Sequence, residues 1–392
     1  SNTISLSGSS TVNTGGNNIT LSGVIQDVSG IQTGALVLQG GGTVTITNSN
    51  TFTDGTTVGS GTTLSIANSN NLGAGDLTLS SGTLQVTSSA TLLENISLIG
   101  SNTIATGSNN VTLAGLIDGS GSFTKTGSGT LTISSANTFS GGATIDAGGA
   151  ISLAAGATLG TGLLTLNGGA LNTPFGATLN QAVAVTATST LNLGSGKTTT
   201  ITGALMSVSS STLQLDNATS MGTGNLNLTN STVSTGAASL ISGTVQLSGS
   251  NVFTTATFPL TIDGVISGAG SLQKLGAGDL ILSAANTYSG GTLISAGTVV
   301  LTGSGSLGTG TVTLDGGAID GGASGSITNP IFINSTSTIA ASPGGTTTVT
   351  GVISGPGTLD VTGGGTVVLD ANNTYAGGTD VTGTTLSITS QS

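Results

Sequence analysis

Residues 125–149 read KTGSGTLTISSANTFSGGATIDAGG, and residues 274–298 repeat the phrase as KLGAGDLILSAANTYSGGTLISAGT. Looser copies stand at 38–62 (LQGGGTVTITNSNTFTDGTTVGSGT) and 361–385 (VTGGGTVVLDANNTYAGGTDVTGTT). Their marker asparagines, Asn50, Asn137, Asn286 and Asn373, are 87, 149 and 87 residues apart. Self-similarity at a long fixed period indicates a fold that grows by stacking like units. It also argues against a single catalytic centre, because repetition spreads structure along a surface.

Two further landmarks keep the same register. A turn-and-strand element begins at Leu72, Leu159, Met221 and Leu307, in steps of 87, 62 and 86. A glycine before an apolar pair recurs at Gly23, Gly115, Gly203, Gly264 and Gly351, in steps of 92, 88, 61 and 87. The unit is therefore about 87 residues, and the copy beginning near Gly203 is short by about 26 and lacks the asparagine-aromatic phrase. The expected organisation is one continuous solenoid over 1–392. Its units span approximately 23–114, 115–202, 203–263 (shortened) and 264–350, with partial units 1–22 and 351–392.

Within each unit the period is two. Thr130-Leu131-Thr132-Ile133 and Thr311-Val312-Thr313-Leu314 alternate hydroxyl and apolar side chains, as strands with one buried face do. Threonine and valine dominate, no stretch carries helical apolar spacing, and glycine-rich turns arrive every 8–12 residues. The pattern predicts an all-β, right-handed parallel β-helix, with handedness taken from the general preference of parallel connections. Four coils of roughly 22 residues per unit give about 18 coils, three-sided, on the order of 85 Å long at the ordinary strand spacing.

Composition narrows the function. The chain has three lysines, no arginine, no histidine and no cysteine, with a formal charge of −11. Such a surface cannot neutralise a run of phosphates, so nucleic acid is excluded as a partner, and anionic lipid is disfavoured. Disulfides and thiolate metal sites are absent. A charged fraction of only 4% with a mean hydropathy of +0.37 opposes disorder. No apolar run approaches the length of a membrane span, so this segment is not expected to insert in one. No leader is visible at Ser1, and both ends fall mid-pattern, as in a segment or mature form of a longer chain.

The phrase K-x-G-x-G-x-L-x-L-S-x-A-N-T-[YF]-S-G-G-T resembles the autotransporter-associated β-strand repeat of bacterial secreted passenger domains and very large surface proteins. The central two copies match closely. In the outer two the lysine becomes Leu38 or Val361, and the first paired glycine becomes Asp54 in the N-terminal copy. The resemblance implies a secreted β-helix, and supports the handedness. The membrane barrel that ends such proteins is not in this sequence.

Candidate chemistry is sparse. Asp315 and Asp320 in LDGGAID could pair as acid and base on a glycosidic bond, but they align with Asn167 and Asn172 of another unit and read as turn residues. Gly73–Asp76 and Gly276–Asp279 only superficially resemble a calcium nonapeptide, with the wrong spacing. Lys125 and Lys274 share one repeat position and read as surface or edge residues. Phe52, Phe139, Tyr288 and Tyr375 read as rings that fill the core or cap a corner, and the marker asparagines as satisfying backbone groups at a tight turn. Threonine runs at 198–202 and 346–350 recur too seldom for an ice-binding face.

No catalytic, cofactor-binding or metal residue is assigned, and the chain is not expected to be an enzyme. The expected role is a stalk or fibre segment of a secreted bacterial surface or matrix protein, supporting adhesion, biofilm or filament assembly. Self-association, end-to-end or lateral, is the expected partnership. The alternative is an adhesin module that binds glycans or a host surface on one face, with a polysaccharide-cleaving β-helix a distant third.

Overall fold

The structure, a computed structural model, describes residues 2–29, 33–194, 197, 199–201, 206–216, 221, 224–303 and 305–389. The Gly203 landmark, the turn of the Met221 element at 222–223, and Thr198 and Thr202 of one threonine run lie outside the described residues. The fold is all-β, with about 18 turns of parallel strands stacked as a solenoid. The helical exception among the described residues is one 3-10 turn, Ser69–Leu72, and no helix is long and apolar enough to cross a membrane. Two compact units are distinguished, Ser1–Ala184 and Val185–Ser392.

In the first unit the chain visits three sides in fixed rotation. Side I carries Ala90–Leu92, Val111–Leu113, Thr130–Ile133 and Ala150–Leu153. Side II carries Gly34–Gln39, Thr56–Val58, Leu77–Ser80, Ile96–Ile99 and Ile117–Gly119. Side III carries Thr43–Ile46, Thr63–Ile66, Thr83–Val86, Ser101–Ala105, Ser122–Thr126 and Ala143–Asp146. The second unit repeats the plan, for example through Ser250–Thr255, Ser271–Leu275, Thr292–Ile294 and Val312–Leu314. Parallel, in-register pairing follows from the alternation: every turn offers an apolar face at the same place, and a slip of one residue would turn it outward.

Turns are short. Thr63 pairs with Thr83, 20 residues on, and Thr103 with Thr124, 21 on. Four turns above Asn50 lies Thr130–Ile133 on side I, and Asn137 falls on side II. In the second unit Asn286 stands over Ile266–Gly268. Four turns on, that side carries Thr366–Leu369, and Asn373 stands over Ile353–Ser354 on the next side. The 87-residue period is thus four turns and one side, not four whole coils. The phrase moves a third of a circuit at each recurrence within a unit.

The core is a set of columns one residue wide. On side III of the first unit, Leu64, Leu84, Ile104, Lys125, Ile145 and Leu166 are successive register partners, all buried. At roughly 25 cal/mol per Å² of apolar surface removed from water, such columns supply the main stabilisation. Within this column each inward side chain is covered by its register partners above and below.

Candidate functional site

The three landmarks of the sequence prove to be three consecutive floors of one corner. The amides of Ile25, Ile117, Ile266 and Ile353, from the glycine-apolar-apolar landmark, donate to the Oδ1 atoms of Asn50, Asn137, Asn286 and Asn373 one turn later. These distances are 2.8, 2.7, 2.7 and 2.8 Å. On the other side, Nδ2 of Asn50 donates to the Asn71 carbonyl at 2.7 Å, that of Asn137 to Thr158 at 2.8 Å, and that of Asn286 to Ser306 at 2.7 Å. The carboxamide replaces a peptide group in the ladder, accepting from below and donating above, where the corner turns the backbone away. Buried backbone groups need such partners.

The third floor is the Leu-Gly-x-Gly element. Ala74, Thr161 and Thr309 donate their amides to the carbonyls of Phe52, Phe139 and Tyr288, each at 2.9 Å. Gly73, Gly160 and Gly308 adopt φ of +73°, +71° and +71°, and a Cβ there would lie 2.2–2.4 Å from those same carbonyl oxygens. Only glycine combines that backbone with that approach.

The rings of Phe52, Phe139 and Tyr288 are buried, as the core reading of the aromatic position expects, while Tyr375 is half-buried. Their polar ends are matched locally. Tyr288 Oη lies 2.6 Å from Thr292 Oγ1, and Tyr375 Oη 2.5 Å from Thr379 Oγ1. Phe139 has Ala143 four residues on, and packs on Phe123 with centroids 5.4 Å apart. Phe52 is the mismatch: four residues on is Thr56, whose buried Oγ1 has no partner among the described residues. Burial pushes the Tyr288 phenol above its usual range, partly offset by the Thr292 bond.

Lys125 and Lys274 correct the surface reading. Both are fully buried in the aliphatic columns, Lys125 between Ile104 and Ile145 and Lys274 between Phe253 and Ile294. Each ammonium curls back to nearby carbonyls: Lys125 Nζ donates to the Thr126 and Gly127 carbonyls at 3.1 and 2.7 Å. Lys274 Nζ donates to Leu275, Gly276 and Ala296 carbonyls at 2.9, 2.6 and 3.2 Å. Burial lowers both from 10.5 to about 8, with nearby Asp279 opposing the shift at Lys274. The sequence carries a signal for this. Strand alternation puts Lys125 on the face of Phe123, and the outer copies place Leu38 and Val361 at the same position.

The suspected acids are not brought together as a catalytic pair. Asp315 Oδ1 accepts from Asn334 Nδ2 at 2.9 Å, and Asp320 Oδ1 accepts the Gly322 amide at 2.8 Å in a turn. They end strands on successive sides, Val312–Leu314 and Ala318–Asp320. Asp76 Oδ1 accepts from Asn95 Nδ2 at 3.1 Å. Among the described residues no three acidic, histidine or cysteine side chains are grouped to hold a metal. In the threonine run at 346–350, Thr347 points inward and donates Oγ1 to the Ala340 carbonyl at 2.8 Å, while Thr346 and Thr350 are exposed.

Repeats of this design define the chain as a stacked repeat solenoid whose landmark is the Ile–Asn–Gly corner. The family described as passenger-associated-transport-repeat matches at residues 36–66, 123–150, 272–301 and 359–388, the four phrases themselves. The repeats are those of autotransporter passengers. The chain is 37% identical over 135 residues to the adhesin BmaC autotransporter of Brucella suis biovar 1 (strain 1330), a match covering 34% of this chain. It spans only 4% of that protein's length. No solved structure matches the chain significantly.

Proposed function

We propose that this chain is a stalk segment of a secreted bacterial surface adhesin, carrying load and spacing rather than chemistry. The observation that supports the reading most is the repeated corner: landmarks that could have formed a site are occupied in joining one turn to the next. The adhesin name of the similar autotransporter favours the same assignment. Stiffness would come from ladder hydrogen bonds and stacked, mainly apolar columns, and the low charge would let copies approach one another. Negative-stain imaging across a concentration series tests this. Filaments or rods of uniform width are expected, and compact globules at every concentration would overturn it.

A second reading, glycan or host-surface recognition, is favoured by a concave, uncharged groove in the second unit. Surface display of the chain on a non-adherent bacterium, followed by counting attached cells, tests adhesion itself.

A further inference from the structure

The second unit carries a groove of about 620 Å³ at one corner, spanning residues 250–313. It exists because successive turns meet there backbone to backbone. A Cβ on Gly290 would lie 2.4 Å from the Gly270 carbonyl carbon, and one on Gly310 would lie 2.5 Å from the Gly291 nitrogen. With no side chains over the corner, the surface sinks, and the strand faces beside it become walls. Those walls present Ser271, Gln273, Ser289, Leu293, Thr311 and Thr313.

None of the lining residues is charged. Unlike the marker asparagines, the side chains of Ser271, Gln273, Ser289, Thr311 and Thr313 have no hydrogen-bond partner within the described residues. They are donors and acceptors committed to nothing in the fold, aimed into one concavity beside one apolar side chain. The first unit supplies a comparison, because the same frame recurs there through Gly121, Gly141 and Gly162. At its matching positions stand Thr124 for Gln273, Thr144 for Leu293 and Leu163 for Thr311, and Leu163 projects into solvent at 50% exposure. The frame is shared, while the lining differs.

We propose that this groove binds a neutral glycan segment, with Gln273 and the Ser271, Ser289 and Thr311 hydroxyls bonding sugar hydroxyls and Leu293 covering an apolar sugar face. The volume suits one or two sugar rings. An acidic glycan or peptide is disfavoured, because the chain's charge is −11 and two of its three lysines are buried. The inference deepens the recognition reading above and is independent of the stalk assignment.

The test is ligand-observed NMR on the full chain with chitotetraose, maltotetraose and mannotetraose, against sialyllactose and a heparin tetrasaccharide as charged comparators. At least one neutral tetrasaccharide is expected to bind saturably. The variant combining Gln273→Thr and Thr311→Leu gives the groove side chains that the first unit already tolerates. It is expected to weaken binding at least tenfold with an unchanged thermal midpoint. Gln273→Ala alone is a smaller change, expected to weaken binding about threefold, and keeps the test open if the double variant folds poorly. Absence of neutral-glycan binding, preference for the charged comparators, or binding undiminished in the variants would each overturn the assignment. Adhesion of displaying cells without glycan binding would overturn the groove alone and leave the stalk intact.

Discussion

Asn137 joins three turns of the first unit: its Oδ1 accepts the Ile117 amide from the turn below at 2.7 Å, and its Nδ2 donates to the Thr158 carbonyl above at 2.8 Å. The same bracket recurs at Asn286 between Ile266 and Ser306. Because all these groups are buried or partly buried, removing the carboxamide strands a backbone donor and an acceptor at once. Asn137→Ala and Asn286→Ala are therefore expected to cost about 2–4 kcal/mol each. Asn373→Ala, at a less buried bracket, should cost about 1 kcal/mol. Urea unfolding midpoints check this; equal, negligible losses at all three would show that the corner is held by packing alone.

Phe52 and Phe139 should respond to the same substitution with opposite signs. Phe52→Tyr places a hydroxyl toward the unpartnered Thr56 Oγ1, reproducing the Tyr288–Thr292 contact, and is expected to stabilise by about 0.5–1.5 kcal/mol. Phe139→Tyr faces Ala143, which offers no side-chain partner, and should destabilise by about 1–3 kcal/mol. Thermal midpoints of the two variants decide; a shift of the same sign in both would refute local pairing of ring and residue four positions on.

Much of this architecture is legible in the sequence. The strand period, the parallel stacking and the inward rings follow from the alternation and the repeat. Two features are not so easily read. The charge of Lys125 points to the surface, while its place points inward: Phe123-Thr124-Lys125 alternates, and Leu38 occupies the same position in another copy. The turn length is not a quarter of 87, because sequence similarity marks when a phrase recurs and not which side it recurs on. Only the pairing of Thr63 with Thr83, and of its neighbours, reveals the extra third of a circuit. The groove is invisible for a related reason: it is made by glycines on successive turns, where side chains are missing.

The buried lysines give the chain an unusual response to base. Burial lowers both from 10.5 to about 8, so between those values the unfolded chain holds more protons than the folded one. Stability is then expected to rise with pH from about 8 toward 10.5, since the folded state is relieved of a buried charge. Above about pH 10 ionisation of Tyr288 in the unfolded chain opposes this, because its phenol is held protonated when folded. Lys125→Leu with Lys274→Leu, which place at both positions the residue that Leu38 supplies in the N-terminal copy, should remove the rise. Denaturation midpoints at pH 7, 8, 9 and 10 test it; a flat or falling profile in the parent chain would mean that the carbonyl bonds outweigh burial.

The third-of-a-circuit step makes a prediction about deletion. Removing Thr51–Asn137 excises 87 residues (137 − 51 + 1) and joins Asn50 to Thr138. Asn50 still accepts the Ile25 amide, and Phe139 still lies beneath Gly160, so every floor of the corner is rebuilt. All later strands move back by one side, which the fold already permits, since Asn50 and Asn137 stand on different sides. The shortened chain should fold cooperatively with an all-β circular dichroism spectrum. Removing Thr51–Ala147 instead, 97 residues (147 − 51 + 1), sets the Gly148-Gly149 turn where the ring belongs and breaks the columns above it. That variant should aggregate or become protease-sensitive. If the two deletions behave alike in thermal melts and limited proteolysis, the corner does not set the register of the turns above it.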